Sequence, residues 1–240
     1  MSDILMIVTA ATSLTLADGT EHPTGFWAEE LVTAHRDLVA AGHTITIATP
    51  GGVTPTVDPG SVSAAGVGSA EKADELTDYL AGIAPALAAA VPLDEVDVSR
   101  FAAIVIPGGH GPMTDLAFDA TTGRILVAAV EAGTIIAPFC HGPAALLSAV
   151  RADGSFAFAG RRLAVFTDSE ELAGGTGEST PWFVETRLRE AGAVIDSSAD
   201  WSSHVVIDGS LISGQNPQSS AAVTSAVIEA LDALDTVDAR

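Results

Sequence analysis

The chain holds a single cysteine, Cys140, followed at once by His141, Gly142 and Pro143. A thiol beside an imidazole is the pairing from which an activated nucleophile is built, because the thiolate is the attacking form and a neighbouring base favours it. The residues before it, Thr134 to Phe139, form an apolar run bounded by Gly133 and too short for a typical helix, which reads as a buried strand of a parallel sheet. The residues after it favour a helix, with Gly142 and Pro143 suited to the turn and the first helical turn. Cys140 is therefore expected on a sharp strand-to-helix turn at the C-terminal edge of a sheet, where open α/β sheets bind their ligands. A helix N-terminus beneath the sulfur and the adjacent histidine predict a thiol pKa below the ordinary value of about 8.5. A lone cysteine is more commonly a small buried hydrophobe, but the histidine, the Gly-Pro pair and the strand end together point to chemistry.

Three further groups could join it. Glu30 lies in a predicted helix, Glu170 and Glu171 follow a predicted strand, and Pro107-Gly-Gly-His-Gly-Pro112 is so short of side chains that its backbone amides are open to an anion or oxyanion. No Gly-Lys-Ser/Thr follows that run, so it is not a phosphate loop of the usual kind.

The elements that must position these groups read in chain order as follows. Ile4 to Thr9 is a first buried strand, followed by a polar loop from Ala10 to Pro23. Thr24 is the expected N-cap of a helix whose apolar residues Phe26, Trp27, Leu31, Ala34, Leu38 and Val39 recur at helical spacing until Gly42. Ile45, Ile47 and Ala48 mark the second strand. Residues from about 50 to 95 read as an insertion packed against a single domain of residues 1–240: an irregular stretch from Pro50 to Ser69, then a helical region from Glu71 to about Ala90 broken by Pro85 and Pro92. Phe101 to Ile106 is the third strand, Thr121 to Ala132 a helix, and Leu163 to Phe166 a strand after the Cys140 strand. Ser179, Thr180 and Pro181 mark the start of a helix running to Glu190. Val205 to Ile207 and Leu211 to Ser213, joined by Asp208-Gly209, form an edge hairpin, and Asn216-Pro217 caps a last helix from Ser219 to about Leu234. The sum is a flavodoxin-like α/β fold, a doubly wound and mostly parallel sheet with helices on both faces.

Composition narrows the function. The formal charge is −21, from 31 acidic against 10 basic residues, which repels phosphate backbones and makes nucleic acid an unexpected partner. Although 48% of residues are hydrophobic, no apolar segment reaches the roughly 18 to 20 residues of a membrane helix. The N-terminus reads directly as a strand and lacks signal-peptide features, so a cytoplasmic location is expected. One cysteine excludes an intrachain disulfide. Lys72, the only lysine, lies in a polar run, which argues against Schiff-base chemistry. Trp27, Trp182 and Trp201 are expected as core or interface residues, and His22, His35, His43 and His204 as ordinary loop or surface residues without metal-ligand spacing. No metal and no cofactor is expected, with His22 and His110 the residues that leave a metal open.

Five motifs in order, Thr24-Gly-Phe-Trp-Ala-Glu-Glu-Leu31, Pro107-Gly-Gly-His-Gly-Pro112, Ala137-Pro-Phe-Cys-His-Gly-Pro-Ala-Ala145, Phe166-Thr-Asp-Ser-Glu-Glu171 and Gly214-Gln-Asn-Pro217, closely resemble the ThiJ/PfpI superfamily of class I glutamine-amidotransferase-like folds. The narrower resemblance is to its glyoxalase III, protein-deglycase and heat-shock chaperone branch. It implies that Cys140 is the nucleophile, that His141 contributes acid-base chemistry, and that Glu30 rather than Glu29 hydrogen-bonds the sulfur. It also implies that Glu171, with Glu170 as the alternative, orients the histidine. The backbone amides of Gly109 and His141 resemble the family's oxyanion hole, which makes Gly108, Gly109 and His110 the expected substrate-binding turn.

The activity this implies is a cofactor-independent, glutathione-free conversion of small α-oxoaldehydes such as methylglyoxal or glyoxal to 2-hydroxy acids through a cysteine hemithioacetal, with protein deglycation by the same steps. The alternatives are a stress chaperone of the same family and a cysteine peptidase or amidase. A true glutamine amidotransferase takes its histidine from a separate His-x-Glu motif, whereas His204 is followed by Val-Val. A small aldehyde as substrate and a homodimer as assembly complete the expectation.

Overall fold

The computed structural model describes residues 1–238. The strands and α-helices in chain order are β1 (Asp3–Ile7), β2 (Ser13–Thr15), β3 (Glu21–Pro23), α1 (Ala28–Ala40), β4 (Thr44–Thr49), α2 (Ala64–Val67), α3 (Ala70–Gly82), α4 (Ala84–Ala88), β5 (Val91–Pro92), β6 (Ala103–Ile106), α5 (Ala120–Ala132), β7 (Ile135–Pro138), β8 (Arg162–Leu163), α6 (Asp168–Gly174), α7 (Val184–Glu190), β9 (Val194–Ile195), β10 (Val205–Asp208), β11 (Leu211–Gly214) and α8 (Ser220–Asp238). The central sheet runs β10-β11-β7-β6-β1-β4-β5, and every neighbouring pair is parallel except the β10–β11 hairpin.

Both faces of the sheet are covered, which is why its strands read as continuous apolar runs. Successive side chains of a strand point to opposite faces. Leu5 and Ile7 accordingly join Ile104, Ile106, Leu126, Leu146 and Leu188 on one side, while Ile4 and Met6 join Val105, Leu31, Leu38, Val223 and Val227 on the other. Helices α1 and α8 thus cover one face and α5 and α7 the other, and no helix among the described residues is long and apolar enough to cross a membrane. The strand order reverses between β1 and β6, and the crevice at such a reversal is where doubly wound sheets bind ligands.

The hairpin at the sheet edge stands as expected, with Gly209 at φ 58°. Several local expectations give way to long-range contacts. Thr24 does not cap α1: its hydroxyl donates to the buried Asp58 Oδ2 at 2.8 Å. The helix instead starts after Trp27, which makes no side-chain cap, and the Ser61 hydroxyl of the insertion accepts the Ala28 N–H at 3.0 Å. The loop from Ala10 to Pro23 contains the β2–β3 hairpin. The segment after Cys140 is a 3-10 helix from Gly142 to Ser148 rather than an α-helix, with Ala144 to Leu146 buried in the core.

Of the run from Leu163 to Phe166 only Leu163 is in a strand, and with Arg162 it pairs with β9 outside the central sheet. The remaining backbone is drawn elsewhere: Ala164 N–H donates to Ser213 Oγ and Phe166 N–H to the Cys140 carbonyl. The helix expected from Ser179 begins at Val184, because the Thr180 hydroxyl is used by Glu171 instead. Asn216 likewise does not cap with its side chain, which donates to Glu170 Oε1 at 2.8 Å.

The insertion forms helices α2 to α4 and the edge strand β5. Leu76 of α3 packs with Ala28 and Val32 of α1, so the insertion is seated directly over the helix that carries Glu30.

Candidate active site

Cys140 follows β7 with φ 57°, a left-handed backbone that a side chain rarely adopts and that costs on the order of 1–3 kcal/mol. The surroundings enforce it. The Cys140 N–H donates to the Gly214 carbonyl at 3.0 Å, and its own carbonyl accepts from Phe166 N–H at 3.0 Å. The turn after β6 lies hard against it: a Cβ on Gly108 would stand 2.6 Å from the His141 nitrogen, and one on Gly109, at φ 84°, 2.4 Å from the Gly25 carbonyl oxygen. Only glycine allows the two turns to meet so closely.

The result is a converging set of side chains. Cys140 Sγ lies 3.3 Å from His141 Nδ1, and His141 Nε2 lies 2.7 Å from Glu171 Oε2. Glu171 comes from the first turn of α6 and is buried. His110 Nε2 reaches the same carboxylate at 3.1 and 3.2 Å, and the two imidazole rings lie tilted by 43° with centroids 4.3 Å apart. Glu30, fully buried on α1, accepts the Gly108 N–H on Oε2 at 2.6 Å. Its other oxygen has no well-formed hydrogen bond and adjoins the Cys140 thiol. Glu29, one residue earlier, lines the cavity over the site and pairs with Lys72 at 2.5 Å.

Glu170 does not approach His141. Its carboxylate closes the capping box of α6 with Thr167 and receives Trp201 N–H and the Asn216 amide, each at 2.8 Å. Of the two adjacent glutamates, Glu171 is therefore the one in contact with the histidine.

The electrostatics follow from burial. Desolvation pushes the Glu30 carboxyl up to about 8, against the Gly108 amide that favours its charge, so at neutral pH it holds its proton. The Cys140 thiol is pushed up by burial and then by the Glu30 carboxylate, while the Gly109 and His141 amides pull it down. The depressed thiol pKa expected from the sequence is thus not what the site provides, because Cys140 is only 3% exposed and no full α-helix begins beneath it. Burial also lowers His141, which keeps it neutral and basic. For Glu171 burial pushes up, but the hydrogen bonds from His110 and His141 outweigh it and hold the carboxyl well below the usual range.

His110, His141 and Glu171 place ligand-type atoms within 4.8 Å of one another, the spacing of a metal set. The Glu171 carboxylate, however, already accepts from Thr176 N–H at 2.6 Å, the Thr176 and Thr180 hydroxyls and both histidines, so protein donors alone satisfy it.

A cavity of about 440 Å³ opens over the sulfur. Trp27, Phe166 and Trp201 line it together with Gly66, Gly68 and Lys72 of the insertion. Trp27 and Trp201, expected in the core or an interface, are pocket walls. The cavity role of the insertion has no local signal in the sequence, since α2 is a four-residue turn of small residues remote from every motif. His43, expected as an ordinary loop or surface residue, lies in a loop but is buried and accepts the Ser2 N–H on Nδ1 at 3.3 Å.

The chain is similar to several known proteins. A glutamine amidotransferase-like class 1 domain-containing protein 1 from Bos taurus is 32% identical over 134 residues, 56% of this chain and 61% of that protein. The glutathione-independent glyoxalase hsp3101 of Schizosaccharomyces pombe is 28% identical over 152 residues, 60% of this chain and 62% of that protein. The chain thus spans about three fifths of the length of these curated relatives. Among solved structures, the 24 kDa rapid encystment protein of Francisella tularensis superposes with a TM-score of 0.85 at 27% identity, covering 96% of this chain and 99% of that one. The family model described as the DJ-1/PfpI family matches residues 22–230, and with that match spanning nearly its whole length the chain belongs to the DJ-1/PfpI family.

Proposed function

We propose that the protein converts small α-oxoaldehydes such as methylglyoxal to 2-hydroxy acids without glutathione or another cofactor. The observation that carries this reading is a cysteine in contact with a neutral histidine on one side and a proton-holding carboxyl on the other. With His141 Nε2–H donating to Glu171, its Nδ1 lone pair faces the sulfur and takes the thiol proton as Cys140 attacks. Sulfur bonds to the aldehyde carbon and the proton passes to the aldehyde oxygen, giving a hemithioacetal.

Glu30 gives its proton to the neighbouring carbonyl oxygen, removes the hydrogen from the sulfur-bearing carbon to leave an enediol, delivers that hydrogen to the neighbouring carbon, and takes back the proton of the hydroxyl on the sulfur-bearing carbon. This oxidises one carbon and reduces the other within the same molecule, so no external oxidant is required. The product of the shift is a thioester. Water then cleaves it, releasing the 2-hydroxy acid and restoring the thiol. The amides of Gly109 and His141 beside the sulfur suit the oxyanion that forms in each addition. Deglycation of protein adducts would use the same steps.

The test is a glutathione-free assay with methylglyoxal, following aldehyde loss and lactate formation for wild type and Cys140→Ser. Turnover by the wild type with a loss on the order of 10³-fold or more in the variant is expected, the scale seen when a nucleophile is removed. Equal activity in both proteins, or none in a folded wild type, would sink the reading.

A further inference from the structure

Methylglyoxal carries only a methyl group beyond its two carbonyls, yet the cavity of about 440 Å³ falls within the roughly 300–1,000 Å³ of pockets that enclose much larger ligands. Its inner wall is aromatic. From His141 beside the sulfur, the ring of Phe166 follows at 4.4 Å between centroids, and Trp201 follows edge-on at 5.5 Å. Offset and edge-to-face contacts of this kind are the ones by which aromatic rings hold another ring.

Trp201 is placed there at a cost. Its backbone has φ 62°, and among the described residues the one other non-glycine residue in the left-handed region is Cys140. The buried Glu170 holds it by accepting the Trp201 N–H at 2.8 Å. Gly174 makes room, since a Cβ there would stand 2.8 Å from the indole ring. An indole used only as surface cover requires neither the strain nor the buried carboxylate, and Trp201 remains 41% exposed.

The polar character of the wall selects among substituents. Among the described residues Lys72 is the only lysine or arginine lining the cavity, and Glu29 neutralises it at 2.5 Å, so an anionic substituent finds no free side-chain cation of that kind among them.

From these observations we infer that the site takes α-oxoaldehydes bearing an aryl-sized apolar substituent, with Trp201 and Phe166 as the residues that hold the ring. This rests on the proposed glyoxalase reading for its chemistry, but the subsite itself is a matter of shape and is tested in two arms.

The first arm compares kcat/KM for phenylglyoxal and methylglyoxal in wild type, Trp201→Ala and Trp201→Phe. Wild type should favour the aryl substrate, and the ratio should fall by about tenfold or more in Trp201→Ala, the scale of a lost apolar contact, with Trp201→Phe recovering most of it. The second arm needs no turnover: alkylation of Cys140 by phenacyl bromide and by bromoacetone is timed by mass spectrometry in the same proteins. Each rate is normalised to that of the reagent with a free thiol. The aryl reagent should react faster in wild type and lose that advantage in Trp201→Ala. Aldehydes left unconverted, with the alkylation preference present and dependent on Trp201, would remove the glyoxalase reading and leave the aryl subsite standing. No aryl preference in alkylation, or an equal loss for both reagents in Trp201→Ala, would overturn the subsite.

Discussion

Glu30→Gln is expected to abolish methylglyoxal turnover and at the same time to make the protein more stable at neutral pH. The amide retains the shape of the carboxyl and can still accept the Gly108 N–H, but it cannot take or return a proton. The stability gain follows from linkage. Glu30 titrates in the fold at about 8 against an ordinary value of 4.5, so its contribution to stability is full below 4.5 and is lost as pH rises towards 8. Over that window the unfolded chain gains from ionisation what the buried carboxyl cannot. The variant should therefore exceed wild type by about 3 kcal/mol at pH 7, or roughly 6–12 °C in melting temperature, and the two should converge near pH 4. Glu29→Gln removes a partly exposed pair with Lys72 worth about 0–1 kcal/mol and should alter turnover little. Thermal melts from pH 4 to 8 and kcat for the three proteins decide the matter. Retained activity in Glu30→Gln with loss in Glu29→Gln would reverse the assignment, and a melting difference independent of pH would refute the buried-acid account.

The second large effect is expected at Glu171. Whichever way the side chain of Glu171→Gln turns, its NH2 meets another donor, either His141 Nε2–H or the cluster of Thr176 N–H and the Thr176 and Thr180 hydroxyls. The imidazole then loses the acceptor that fixes its tautomer, and Nδ1 no longer presents a lone pair to the sulfur. A fall in kcat on the order of 10³–10⁴-fold is expected, as in a triad whose orienting carboxylate becomes an amide. Stability should also fall at pH 7. The folded pKa of Glu171 is depressed, so its contribution is present above about 4.5 and is lost as the pH falls below that value towards the folded one. The gap between variant and wild type should thus narrow in acid. Glu171→Asp, which keeps the charge, should recover part of kcat. An unchanged kcat in Glu171→Gln would show that His141 needs no orienting group.

Much of this protein is determined locally and is legible in the chain alone. The apolar runs at β1, β6 and β7 specify buried parallel strands because both sheet faces are covered, and Asp208-Gly209 specifies the edge hairpin because a tight turn requires that backbone. Glu30, the Gly-Gly-His turn, Cys140-His141 and the Glu170-Glu171 pair could be singled out because strand ends of one sheet converge in space.

What the chain alone left open were quantities set by approach over long sequence distances. Glu170 and Glu171 are equivalent by position; the fold separates them by turning one towards Trp201 and Asn216 and the other towards His141. Thr24 has the chemistry of a helix cap, but its hydroxyl is drawn to the buried carboxylate of Asp58, and Ser61 of the insertion accepts the Ala28 N–H in its place. The raised pKa of Glu30, the loss of the expected thiol depression, and the aromatic wall of Trp201 and Phe166 all depend on what excludes water around the sulfur. Burial is a property of the assembled layers and not of any segment, so only the tertiary structure could decide them.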